Sequence, residues 1–274
     1  MAENFEDYFS GKKLYGDDLS LSEIQTWYDD EKEGYANLGA GESEHYQYYY
    51  HNLNITHGYN YLPSGKHFTK VLGIGSAYGT EFEPIKNRIS ELYMLEPSDQ
   101  LVTQEIFGIK PVYQKPTVEG KIEFEDNLFD LITCFGTLHH IPNVSFVMSE
   151  MSRILKPGGY LLIREPIISM GDWRKARTGL TRHERGIPIN VFRKIIGNLK
   201  LNLIKETLCF TMMPFLVRKT EKLLKKPLYA YPAYLWFDRI FSRFTTSNLH
   251  YHAQKPLERI APTNVFYVLQ KTNH

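Results

Sequence analysis

The chain has 274 residues, 42% hydrophobic and 23% charged, enough for one large α/β domain with additions or for two small domains. Its longest nearly uncharged apolar run, Leu208 to Val217, is about half of what a membrane-spanning helix needs. The acidic N-terminus lacks the basic-then-apolar layout of a secretory signal, so a cytoplasmic location is expected. With only Cys134 and Cys209, neither a disulfide framework nor a Cys-rich metal site is expected, and no metal is assigned.

The formal net charge of +1 hides an uneven distribution. From Met1 to Ser64 twelve acids stand against three lysines, a balance of −9. In that segment Ile24, Trp27, Tyr28, Glu31 and Tyr35 recur at helical spacing, and the cluster Tyr46, Tyr48, Tyr49 and Tyr50 follows. An N-terminal helical cap over residues 1–66 is expected, its tyrosines serving both as packing and as a lid.

The next section, residues 67–211, alternates apolar β-type runs with helical stretches, the pattern of a parallel sheet covered by helices. Strands are predicted at Lys70–Ile74, Glu91–Leu95, Pro111–Tyr113, Asp130–Phe135 and Tyr160–Arg164. The first runs into Gly73-Ile74-Gly75-Ser76-Ala77-Tyr78-Gly79, a glycine-rich turn expected to open a helix whose free N–H groups face a ligand. A dinucleotide turn reads G-x-G-x-x-G, but here Tyr78 takes the place of the last glycine, where a pyrophosphate would approach. Glu96 ends the second strand, where an acid accepts hydrogen bonds from ribose hydroxyls; that feature suits NAD as well as S-adenosylmethionine (SAM).

Between the fourth and fifth strands Pro142-Asn143 starts a helix marked by Val147, Met151, Ile154 and Leu155, and Lys156-Pro157-Gly158-Gly159 turns the chain directly into the next strand. A polar connection, Gly171 to Gly186, concentrates Arg177, Arg182, His183 and Arg185. A helix around Asn190–Leu199 and a strand near Leu203–Thr211 follow. Residues 212–260 carry nine basic against three acidic side chains and are expected to form an inserted lid before the final strand, Val265–Gln270, in segment 261–274. Within the insertion Trp236, Phe237, Ile240, Phe241 and Phe244 share one helical face of residues 233–244, with Asp238, Arg239, Ser242 and Arg243 on the other. Packing of the aromatic face against the enzyme as a substrate wall is the preferred reading; contact with a membrane surface is the other. No basic stripe accompanies a nucleic-acid reading module, so no nucleic-acid partner is expected.

Four pieces in order carry a family resemblance: Val-Leu-Gly-Ile-Gly-Ser-Ala-Tyr-Gly at 71–79, Leu-Glu-Pro-Ser at 95–98, Phe-Glu-Asp-Asn-Leu-Phe-Asp-Leu-Ile-Thr at 124–133 with Leu-His-His-Ile-Pro at 138–142, and Leu-Lys-Pro-Gly-Gly at 155–159. Over about Val71 to Pro166 the chain resembles the class I SAM-dependent methyltransferases, type 11-like, in particular their small-molecule branch with the quinone-biosynthesis enzymes. The resemblance implies a Rossmann-like fold with a seven-stranded, mostly parallel sheet whose last strand is antiparallel. It implies SAM as cofactor, S-adenosylhomocysteine as product, and a cofactor set of Gly73, Gly75, Ser76, Gly79, Glu96, Pro97, Phe135 and Gly136. The family usually has an acid where Gly73 stands, and an acid expected near the adenine has only Glu119 as a candidate.

For the chemistry, His183, His140 and His139 are the candidate bases, and Arg182 and Arg185 the candidate ligands of an anionic or hydroxyl-rich acceptor. A solvated loop salt-bridged to the acidic N-terminus competes with that use of residues 177–186. Segments 27–35 and 182–188 look similar to bacterial glycan-pathway methyltransferases, so O-methylation of a sugar or polysaccharide hydroxyl is the leading expectation and a quinone or amine acceptor its alternative. A nicotinamide-dependent oxidoreductase and a non-catalytic SAM-binding protein stand as readings from other classes. The oligomeric state is left open.

Overall fold

The structure, a computed structural model, describes residues 5–34, 36–37, 46–211, 220 and 223–272. Seven strands form one sheet: β1 (Phe68–Ile74), β2 (Ile89–Leu95), β3 (Val112–Gln114), β4 (Phe129–Phe135), β5 (Leu155–Pro166), β6 (Leu201–Cys209) and β7 (Asn264–Lys271), in the order β3-β2-β1-β4-β5-β7-β6. β1 to β5 pair in parallel, and β7 runs antiparallel to both β5 and β6. The chain crosses from β3 back over the sheet to β4, so the strand order reverses between the neighbours β1 and β4, the place where open α/β sheets leave a crevice at the strand C-termini. The expected fold is the observed one.

The central strands are continuous apolar runs because both faces are covered. On one face Leu72, Ile132, Leu161 and Ile163 pack under α4 (Val144–Ile154) and α5 (Ile189–Gly197); on the other Val71, Leu131, Leu162 and Val268 pack with Tyr59, Phe82 and Ile85. Val147, Met151 and Ile154 face the sheet as the helical spacing predicts, each burial contributing about 1.5–3 kcal/mol. The N-terminal segment supplies α1 (Phe5–Phe9), α2 (Leu21–Glu31) and α3 (His51–His57). α2 starts at a capping box, Ser20 N–H donating to Glu23 Oε2 at 2.8 Å, and buries Ile24, Trp27 and Glu31. Tyr35 lies outside the described residues.

Three local readings are corrected. The glycine-rich turn opens not an α-helix but a 3-10 stretch, Thr80–Arg88. Pro84 inside it has no N–H to give the residue four back, and the N–H of Phe82 bonds three back, to Gly79. The Lys156–Gly159 turn does not precede β5 but interrupts it: Leu155 already pairs with Phe129 and Tyr160 with Leu131, so the turn stands as a bulge against β4.

The third correction concerns α6 (Pro232–Thr245). Its aromatic face is not packed against the enzyme: Trp236 is 69% and Phe244 78% exposed, with Phe237 and Ile240 also outside, while Asp238, Ser242 and Thr245 are buried. The cause lies at the end of β6, where Phe210 adopts φ +67° and leaves the ladder. Asp238 accepts from the backbone N–H of Phe210 (2.7 Å) and of Thr211 (2.9 Å), and Ser242 meets the Thr211 hydroxyl at 2.8 Å. Buried backbone amides demand acceptors, and meeting that demand turns the polar face of the helix inward. Part of the insertion, residues 212–219 and 221–222, lies outside the described residues. No helix among the described residues is long and apolar enough to cross a membrane.

Candidate functional site

A cavity of about 810 Å3 opens at the C-terminal ends of β1, β2, β4 and β5. Its first half is the glycine-rich turn. Gly75 has φ +60°, and a Cβ there would stand 2.4 Å from Thr137 Cγ2, so both conformation and space require glycine. Gly79, at φ +66°, makes the bend into the 3-10 stretch but does not line the cavity. Glu96 does, beside Pro97; its carboxyl accepts from Ser98 N–H at 3.2 Å, and burial pushes its pKa up to about 7.

At Gly73 the space of a side chain is already taken: a Cβ would meet Ser76 Oγ at 2.4 Å. Ser76 Oγ donates to Glu81 Oε1 at 3.0 Å, and Thr133, the register partner of Gly73 on β4, donates to the same oxygen at 2.5 Å. Glu81 is buried and lines the cavity, and burial holds its pKa near 7 against those two hydroxyls. The 3-10 stretch thus brings a carboxyl to the neighbourhood where the family resemblance expects an acid from β1. Sequence reading missed it because the residue sits eight positions later.

The second half of the cavity is an acid–imidazole cluster. Glu165, at the end of β5 and fully buried, accepts from the backbone N–H groups of Thr137 (2.8 Å) and Leu138 (2.8 Å) and from His139 Nδ1 (2.8 Å). His139 Nε2 lies 3.5 Å from Glu184 Oε1. Burial works against a charge on His139, but the two carboxylates outweigh it and raise its pKa to about 9, so it is an imidazolium at neutral pH. Glu184, conversely, is held down at about 2: burial opposes its charge, and the hydrogen bond and charge of His139 overcome that.

His140 behaves oppositely. Burial and then the neighbouring His139 cation lower its pKa, although Nδ1 sits 3.0 Å from Glu31 Oε2 and 3.2 Å from Thr181 Oγ1. Glu31, whose pKa is lowered against burial by His140, Thr181 and the His183 N–H, is an ionised acceptor. His140 Nδ1 must then donate, which leaves Nε2 as the lone-pair nitrogen. His139, His140 and Glu184 also bring three ligand atoms within 4.8 Å of one another, a set able to hold a cation as well as a proton.

Residues 72–163 match the family model described as a methyltransferase domain. A ubiquinone biosynthesis O-methyltransferase of Dechloromonas aromatica is 39% identical over 56 residues, which cover 20% of this chain and 24% of that enzyme. The chain spans between 4% and 39% of the length of the curated relatives it matches. Among solved structures, phosphoethanolamine N-methyltransferase 2 of Haemonchus contortus superposes with a TM-score of 0.55 at 15% identity, over 91% of this chain and 60% of that one. The fold is that of the class I methyltransferases.

The methyltransferase fold and the family match together support SAM as the cofactor. Fold alone does not fix the chemistry: the cyclase SpnF shares it with a TM-score of 0.50 at 12% identity, over 77% of this chain and 78% of that one. In this methyltransferase fold the cavity gathers Gly75, Ser76, Glu96, Pro97, Phe135, Gly136, His139 and His140 from the predicted set. Gly73 and Gly79 shape its walls from behind. Glu119 is not a lining residue; its carbonyl accepts from Asn143 Nδ2, and the neighbouring Thr117, Val118 and Gly120 line the cavity instead.

The basic loop does not bring its arginines or His183 to the cavity. His183 Nε2 is 2.7 Å from Asp30 Oδ2, its ring stacks on Trp27 at 4.5 Å, and its backbone N–H donates to Glu31. Arg182, well exposed, pairs with Asp30 at 3.0 Å. Arg185 is fully buried and donates to the carbonyls of Tyr15, Leu138, His139 and Ile141. The loop reaches the cavity through Gly179 and Glu184. Of the competing expectation, a solvated loop salt-bridged to the acidic N-terminus, the Arg182 and His183 contacts with Asp30 are present, whereas Arg185 is buried on backbone carbonyls.

Proposed function

We propose that this chain is a SAM-dependent methyltransferase acting on the hydroxyl of a small aromatic molecule. What carries the reading is one cavity lined by the glycine turn and Glu96, by His139 and His140, and by the aromatic side chains of Tyr48, Tyr50, Phe135, Phe210 and Tyr229. Bound SAM supplies a methyl carbon activated by sulfonium, so most of what the protein contributes is positioning. Glu96 suits the ribose diol, and Glu81, with Ser76 and Thr133 behind it, suits the cofactor's ammonium. The N-terminal cap over residues 1–66 and the inserted lid over 212–260 would close the cavity around the core of 67–211 and the last strand in 261–274, since Trp27 and Tyr28 line it from one side and Tyr229 from the other.

An acceptor hydroxyl has to lose its proton as the oxygen–methyl bond forms. His140, neutral and oriented by Glu31 through Nδ1, is the group suited to take it on Nε2; His139, already protonated and held by Glu165 and Glu184, is suited to orient and not to accept. An amine acceptor would need no base, so the His140–Glu31 pair favours a hydroxyl. A sugar or polysaccharide hydroxyl has less support: the matched relatives include ubiquinone O-methyltransferases, and the arginines expected to hold a glycan are engaged elsewhere. The exposed aromatic face of α6, flanked by Arg239 and Arg243, supports contact with a membrane surface.

Two measurements test this. S-adenosylhomocysteine should raise the melting temperature and NAD should not; the reverse sinks the reading. Methyl-labelled SAM incubated with separated phenolic, amine and glycan fractions should label the phenolic fraction first, and labelling confined to glycans would restore the sugar acceptor. Sedimentation with anionic vesicles, lost in Trp236→Ser with Phe244→Ser, reads the membrane contact.

A further inference from the structure

Side chains alternate along β5, so its last residues point to opposite faces of the sheet. Glu165 joins the His139 cluster on one side. Arg164 follows Tyr160 and Leu162 onto the other, among Phe135 and Phe266, and is 6% exposed. Its Nη1 donates to Asn54 Oδ1 at 3.0 Å. The guanidinium carbon lies 3.9 Å from the Tyr50 ring centre and 5.5 Å from that of Phe135, and Tyr50 stacks in turn on Tyr229 at 4.5 Å and 9°.

Among the described residues no carboxylate lies within ion-pair distance of this guanidinium. Glu81, whose charge reaches it, is committed to Ser76 and Thr133. Burial opposes the charge of Arg164, but Tyr48, which also hydrogen-bonds it, Tyr50 and the Glu81 charge outweigh that, so a cation stands at the wall of the cavity with no carboxylate in direct contact. Its Nη2 is 3.7 Å from where a Cβ at Gly136 would stand, so it lies over the end of β4.

We propose that Arg164 binds a carboxylate carried by the aromatic acceptor, whose ring lies among Tyr50, Phe135, Phe210 and Tyr229. A planar guanidinium fork matches a carboxylate, and aromatic faces on either side keep it in plane. This rests on the methyltransferase reading and narrows its substrate to hydroxylated aromatic acids. The carboxylate enters as the missing counter-ion, so an uncharged phenol would leave the site's cation unpaired and bind weakly.

The experiment is calorimetric titration of the full chain, saturated with S-adenosylhomocysteine, using 3,4-dihydroxybenzoate and catechol as probes. The carboxylate probe should bind at least about tenfold more tightly, and Arg164→Gln should erase that difference while changing S-adenosylhomocysteine affinity by less than about twofold. Should Arg164→Gln not fold, Arg164→Lys, which keeps the charge without the fork, should shrink the ratio. Equal affinity of the two probes, or binding of neither, overturns the proposal. So does an equal loss of S-adenosylhomocysteine affinity in the Arg164 variants, which would assign the guanidinium to the cofactor's own carboxylate. Failure of the wild type to bind S-adenosylhomocysteine at all would instead remove the methyltransferase reading, and the probe ratio is then read on the protein alone.

Discussion

The loop from Arg177 to Gly186 and the single arginine at the end of β5 make opposite use of the same side chain. The loop has four basic groups within nine residues, yet each is already answered: Arg177 and Arg185 by backbone carbonyls, Arg182 and His183 by Asp30. Arg164, next to Glu165 at the end of an otherwise apolar strand, is met by an amide oxygen, the Tyr48 hydroxyl and aromatic faces, with no carboxylate in ion-pair contact among the described residues. Density of charge along the sequence therefore says little about a binding site. The informative quantity is what remains unpaired once burial and hydrogen bonds are counted.

The largest effect expected from that contrast is on folding. Arg185→Met should cost about 3 kcal/mol or more in urea unfolding, because the bonds of a fully buried guanidinium to four backbone carbonyls are lost; a neutral result with weakened acceptor binding would return the loop to the site. Glu81→Gln should weaken S-adenosylhomocysteine binding about tenfold in calorimetry while leaving the fold intact, since the amide still accepts from Ser76 and Thr133. Unchanged affinity would leave the Gly73 departure uncompensated.

The His139 cluster gives a pH signature. The folded pKa of His139, about 9, lies above its ordinary 6.5, so its contribution to stability is complete below pH 6.5 and is lost as pH rises through 9. Unfolding midpoints measured from pH 6 to 10 should fall across that window, and the fall should flatten in Glu165→Gln. The smallest effect is at the residue that sequence reading favoured most for catalysis: His183→Ala should leave methyl transfer within about twofold and cost about 1 kcal/mol of stability for its stack on Trp27 and its Asp30 pair. A large loss of turnover would restore it as the base.

Much of the site was legible. The glycine turn, Glu96, Phe135 and Gly136 are local to two strand ends, and their spacing follows from the parallel strands that carry them. Arg164 and Glu165 carried a weaker signal, two opposite charges closing an apolar strand beside the crevice. Glu31 was readable only as a member of a helical stripe, because its partner His140 is 109 residues away. The faces of α6 were misjudged because hydrophobicity alone was weighed, whereas two backbone amides at the end of β6 required Asp238.

By itself the sequence determined the alternation of parallel strands with helices and the cofactor turn, since apolar periodicity and glycine placement act over a few residues and need no distant partner. The tertiary structure alone decided which charges are spent and which are left over. Burial and hydrogen bonding pair groups far apart in the chain, so Glu81 can occupy the ground of an acid absent at Gly73 and Arg164 can reach the cavity with no counter-ion of its own.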